Sequence, residues 1–214
     1  MFMRSTTLCA RLVITLAVLL ANELTPQAAI GHQPPDDSLL RHAINISEAL
    51  DNLNSPLPLE TVEELNSLRQ RANQDEIAIQ RLLDPQSVAS VTIGQDGSLS
   101  VTCSQPTIQL QQNGWTCFLV KINNHAGFEG RLSVRSPNSE PLFVETRGQT
   151  RMLPEEMFTE EQLAARFLAL SLHRNAPLKP QLSGHPIEYM ILQVYSKRAG
   201  RLTADLEFYT GDYY

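Results

Sequence analysis

Apolar residues along this chain change their spacing three times, and each change marks a boundary. Residues 12–21 form an apolar run interrupted only by Thr15, preceded by Arg4 and Arg11 and followed by small residues at Ala28 and Ala29. A positive start, an apolar stretch of about ten residues and a small-residue exit are the parts of a secretory signal peptide. The stretch falls well short of the roughly twenty residues needed to cross a bilayer. The pattern therefore predicts a leader over residues 1–29. Residues 30–37, which include Pro34, Pro35, Asp36 and Asp37, carry no apolar period and predict a linker. From Leu39 onward Ala43, Ile46, Leu50 and Leu53 recur every three or four positions, the spacing of one helical face. Pro56 and Pro58 end that helix. A second helix is predicted from Thr61, which stands three residues before Glu64 as in a capping box. Its stripe runs through Leu65, Leu68, Ala72, Ile79 and Leu83 to a stop at Asp84-Pro85. Residues 38–85 thus read as a helical hairpin.

Past Pro85 the period falls from about 3.6 to 2, the change from helix to strand. Val91 and Ile93 flank Thr92 ahead of Asp96-Gly97, and Leu99, Val101 and Cys103 alternate after it, so the first two strands are expected to pair as a hairpin. A short strand follows through Ile108 and Leu110. Residues 115–122 are apolar on both faces, which marks a central strand covered on both sides. Leu132 with Val134, residues 142–145, residues 167–172 and the long run 187–196 supply further strands, while residues 154–166 read as a short helix or an acidic loop. In the last strand Leu202, Ala204, Leu206 and Phe208 alternate with Arg201, Thr203, Asp205 and Glu207. About eight strands at a spacing near ten residues predict a mainly β fold: an antiparallel β-sandwich over residues 86–214, preceded by the helical hairpin and the signal peptide.

Charge narrows the partners. The chain holds 17 Lys and Arg against 23 Asp and Glu; setting aside Arg4, Arg11 and Glu23 of the leader leaves 15 against 22, a net of −7. Such a surface repels phosphate backbones and no basic cluster interrupts it, so nucleic acid is not an expected partner. Beyond the leader no membrane span is expected either. Cys9 precedes the apolar run, the wrong side for a lipid-attachment cysteine. Cys103 and Cys117 are an even pair in a chain expected to reach the periplasm or the medium. A disulfide between them would close a loop of about 15 residues, worth roughly 3 kcal/mol in the chain-entropy model; two buried free thiols are the alternative.

Candidate chemistry is sparse. No G-x-S-x-G motif occurs, and Leu182-Ser183-Gly184-His185 runs into Pro186, which reads as a loop. His32, His42, His125, His173 and His185 are scattered, with no H-x-H or H-E-x-x-H spacing to bring two imidazoles to one ion. His42 is expected on the polar side of its helix. Asp96 reads as a turn residue rather than a calcium ligand. Glu155-Glu156 and Glu160-Glu161 are adjacent acids, which point in different directions on any regular element. No catalytic, metal or cofactor site is expected. Trp115, Tyr189 and Tyr195 are candidates for a ligand surface, because aromatic faces stack on sugar rings; Trp115, opening a central strand, also reads as core.

Several blocks carry a resemblance. They are Leu82-Leu83-Asp84-Pro85, then Gln112-Asn113-Gly114-Trp115 with Phe118-Leu119-Val120-Lys121-Ile122, then Leu182-Ser183-Gly184, and most clearly residues 187–196 (IEYMILQVYS) with Ala199-Gly200. Together, over residues 65–208, they resemble the N-terminal, non-catalytic module of large secreted bacterial proteins whose later region is a CehA/McbA-type metallohydrolase of the PHP fold. The resemblance implies that metal-binding histidines and acids lie downstream of such a module, so no catalytic residue maps onto this chain. After Leu206-Glu207-Phe208 the family pattern continues with glycine-rich sequence, where this chain has Tyr209-Thr210-Gly211-Asp212-Tyr213-Tyr214 and ends. The expectation is an exported, non-catalytic accessory or interaction module, either a truncated N-terminal part of a larger secreted protein or a module working alone, with an unidentified protein or glycan partner. A carbohydrate-binding module and a fragment of a split metallohydrolase, its catalytic domain on another chain, are the alternatives.

Overall fold

The computed structural model of the chain describes residues 10–14, 38–71, 75–104, 107–140, 143–146, 149–152 and 159–211. The expected linker, His32, Glu155-Glu156 and the terminal Tyr213 and Tyr214 lie outside the described residues, as does all of the expected leader except residues 10–14.

The first helix forms where the apolar spacing puts it. In α1 (Leu39–Asn52) the Ser38 side chain accepts a hydrogen bond from the Arg41 amide, and Leu40, Ala43, Ile46, Ala49 and Leu50 are buried. Leu53 caps it, and Asn54 follows at φ 53°, a left-handed position that asparagine tolerates better than most residues. The expected second helix is two helices, α2 (Leu59–Gln70) and α3 (Glu76–Leu83). Asp75 makes the division: its side chain accepts from the amides of Ile77 and Ala78, starting a fresh helix inside what reads as one apolar stripe. The capping box at Thr61 does not form. Here α2 begins two residues earlier, at Leu59 behind Pro58, and Thr61 is buried inside it. A single 3₁₀ turn over Asp84–Gln86, holding Pro85, then leads into the strands.

The strands are β1 (Ala10–Ile14), β2 (Ser87–Ile93), β3 (Leu99–Cys103), β4 (Thr107–Ile108), β5 (Gly114–Asn124), β6 (Leu132–Arg135), β7 (Ser139–Glu140), β8 (Phe143–Thr146), β9 (Gln149–Met152), β10 (Leu168–Leu172), β11 (Ile187–Ser196) and β12 (Leu202–Thr210), with a short α4 (Glu160–Ala164) before β10. The fold is mainly β, with a six-stranded sheet in the order β3-β2-β5-β11-β10-β7, a four-stranded sheet in the order β4-β1-β12-β6, and β8 paired with β9 alone. The expected hairpin of β2 and β3 is present, turned through Gly97 at φ 78°.

The all-antiparallel expectation is corrected. The chain leaves β3 for β4, which belongs to the other sheet, and so returns beside β2 running in the same direction. The β2–β5 pair is therefore parallel, and β7–β10 is parallel too. Residues 10–14 of the expected leader form β1, antiparallel to β12 and parallel to β4.

β5 and β11 are the centre of the molecule. On one face Val120, Ile122, Met190, Leu192 and Val194 join Ala204, Leu206 and Phe208 of β12 in a core between the sheets. On the other, Leu119, Tyr189 and Ile191 join Leu40, Ile46, Leu65, Ile79 and Leu83 in a second core beneath the helices. That two-sided burial is why both strands read as continuous apolar runs.

Candidate functional site

Two places gather the residues that chemistry would need. The first is a cavity of about 260 Å³ between the start of α1, the segment leading from β10 to β11 and the first turn of α3. His42, His173 and His185 line it together with Glu76, Lys179, Ser183 and Glu188. The three histidines are far apart in sequence, and the docking of α1 on β11 brings His42 to the cavity that His173 and His185 also line.

Three of these polar groups bond the fold itself. His42 is not on a polar helix side. Its Nε2 lies 2.8 Å from the Tyr189 carbonyl oxygen and 3.1 Å from the Tyr189 amide nitrogen, so the ring bonds the backbone of β11 as donor or acceptor according to its tautomer. Burial pushes the His42 pKa below its ordinary value, against the smaller opposing pull of that backbone bond and of Glu188. Glu188, 5% exposed, accepts hydrogen bonds at 3.0 Å from both the amide and the hydroxyl of Ser183. The Ser183 hydroxyl is therefore bonded to a carboxylate and closes the loop onto β11. Gly184 follows at φ 83°, and a Cβ there would sit 3.0 Å from Glu129 and 3.3 Å from the Gly127 carbonyl, which shows how closely this loop and the turn after β5 approach. Among the described residues no three of His, Cys, Asp and Glu are grouped so as to hold a metal ion.

The second place is the end of the β5–β11 pair. Trp115 is 51% exposed, which corrects its expected burial, and its ring lies 5.6 Å from that of Tyr195 at 55°. The neighbouring bend fixes this pair: Asn113, at φ 54°, donates its amide to the Ser196 carbonyl, and the Gln111 amide bonds the Thr116 hydroxyl. Tyr189 does not join them. It is 1% exposed on the helix side of the sheet, where its hydroxyl donates to Asp84 Oδ1 at 2.7 Å. Burial, reinforced by that carboxylate, holds its phenol far above the ordinary range, so it stays a neutral donor. Asp84 also accepts from Lys121 Nζ at 2.8 Å, and Lys121 reaches Gln80 at 2.9 Å; together these bonds tie the end of α3 to β5 and β11.

Cys103 and Cys117 are free thiols, which corrects the expected disulfide. Cys103 shares its strand face with Leu99 and Val101, which pack on the core between the sheets, whereas Cys117 packs under the helices. They stand on opposite faces with β2 between their strands, beyond the roughly 7 Å Cα limit for a bridge. Burial raises both thiol pKa values; at Cys117, hydrogen bonds with Ser55 and Gln193 oppose the rise. Asp96 accepts from the amide and hydroxyl of Ser98, as a turn residue does.

No protein-family model matches this chain, and neither a curated protein nor a solved structure shows significant similarity to it. Among the described residues no helix is long and apolar enough to cross a membrane.

Proposed function

We propose that this chain is an exported, non-catalytic interaction module, a β-sandwich with a helical layer that works beside or within a larger secreted protein whose chemistry lies elsewhere. One observation carries the proposal: the most deeply placed histidine of the cavity and its serine bond the fold itself, His42 to the β11 backbone and Ser183 to Glu188. A serine nucleophile of the triad kind is activated by an imidazole, and the Ser183 hydroxyl bonds the Glu188 carboxylate instead. The resemblance to the leading module of CehA/McbA-type proteins agrees with this, since the hydrolytic residues of that family lie in a later region. The test is an assay of the purified exported protein on phosphoesters and carboxylic esters with added Zn²⁺ or Mn²⁺. No turnover above the protein-free blank is expected, and chelator-sensitive turnover lost in His173→Ala would overturn the proposal.

A second reading, carbohydrate binding, is favoured by the exposed Trp115 beside Tyr195, with the amide side chain of Gln193 close to Cys117 on the same face. Trp115 is the chain's single tryptophan, so its fluorescence reports on the site directly. Saturable quenching by a soluble polysaccharide, with binding lost in Trp115→Ala at unchanged circular dichroism, is the expected result. An unresponsive signal across neutral and acidic polysaccharides would remove this reading and leave a protein partner.

A further inference from the structure

β12 is a strand of two halves. Glu207 to Thr210 pair with β6, whereas Leu202 to Leu206 pair with β1 on the other side, and β1 lies in turn against β4. Ala204 and Leu206 of that first half are buried in the core between the sheets. The export reading, on which this inference rests, removes the residues that make β1. A chain cut near residue 29 keeps β12 and β4 but loses the strand between them. The backbone N–H and C=O groups of Leu202 to Leu206 are then open, and an open row of this kind is a template for another strand.

From this we infer that the exported protein carries a strand-acceptor slot between β4 and β12, filled by an extended segment of a partner protein. The slot is one strand wide, with β12 along its length and β4 beside its last two positions, so it takes a single extended segment. Residues 10–14 show the register: Ala10, Leu12 and Ile14 stand opposite Leu206, Ala204 and Leu202, and Arg11 stands opposite Asp205. Directly opposed residues share a face. The occupant is therefore apolar at the three positions facing the core and basic opposite Asp205, whose Oδ1 is buried with no hydrogen-bond partner among the described atoms.

The test begins with the full chain expressed with its leader in an export-competent bacterium, the exported form being purified and its N-terminus read by mass spectrometry. It is titrated with a fluorescent peptide of residues 10–16 and with the same peptide carrying Leu12→Pro. Saturable binding is expected for the first peptide. Affinity should fall at least about tenfold for the second, because proline removes a ladder donor. It should fall similarly for the first peptide when the target is unprocessed chain purified from the cytosol, whose slot is already filled. An exported form that is unfolded alone and gains β signal with the peptide also supports the inference. A cleaved form that binds neither peptide, or both equally, or stays unfolded with the peptide, overturns it. Exported protein that still contains residues 10–14 overturns the export reading and the inference together.

Discussion

A carboxylate inside an apolar strand has to be met by donors, because burying an unpaired charge costs far more than burying a bonded one. Glu188 is the acid in the run 187–196, and Ser183 supplies both donors. Ser183→Ala keeps the amide bond and loses the hydroxyl, so a loss of about 1 kcal/mol is expected by urea unfolding. His42 gives a pH dependence with a definite sign. Its folded pKa is depressed, so below the unfolded value of about 6.5 the unfolded chain takes up a proton that the folded chain resists. Its stabilisation is present above that pH and is lost as pH falls through and below it. Urea midpoints at pH 7 and pH 5.5 check this: the drop expected for the wild type should be smaller in His42→Gln. These roles were partly legible in the sequence. A lone acid in an otherwise buried strand announces that a partner exists, although not which one. Nothing in the local pattern of α1 marks His42, because its partner is a backbone group 147 residues away.

At the scale of elements, local signals placed the strands better than the helix ends. Alternation placed β2, β3 and β12, continuous apolar runs placed β5 and β11, and the Asp96-Gly97 turn fixed the first hairpin, because strand period and turn chemistry are properties of a few neighbouring residues. Two choices escaped. The parallel pairing of β2 with β5 is long-range, since it depends on β4 joining the other sheet; the break between α2 and α3 is local, Asp75 capping a fresh helix within a continuous apolar stripe. The thiols follow from the same topology. Alkylating the unfolded, unreduced protein is expected to label both Cys103 and Cys117, and a linked 103–117 peptide in a non-reducing digest would contradict the β3-β2-β5 strand order. Tyr189→Phe removes one bond of the network that ties α3 to the sheet, for an expected loss of about 1 kcal/mol.

For the whole molecule, β5 and β11 serve two cores at once, so the helices and the sheets have no separate interior to retain. Far-UV circular dichroism and Trp115 fluorescence should follow one unfolding transition. Ile191→Ala, on the helix side, should lower it by about 2–5 kcal/mol without splitting it. Two displaced transitions would mean that the helical layer is an independent unit. The same coupling brings three imidazoles to one cavity while engaging their neighbours in structural bonds, which is the centre of the functional proposal. Its most direct test is a Zn²⁺ titration of the purified protein followed through the histidine ring resonances. Weak, separate responses from His42, His173 and His185 are the result foreseen. A shared shift of all three that saturates at one equivalent would show a working metal centre and contradict the account.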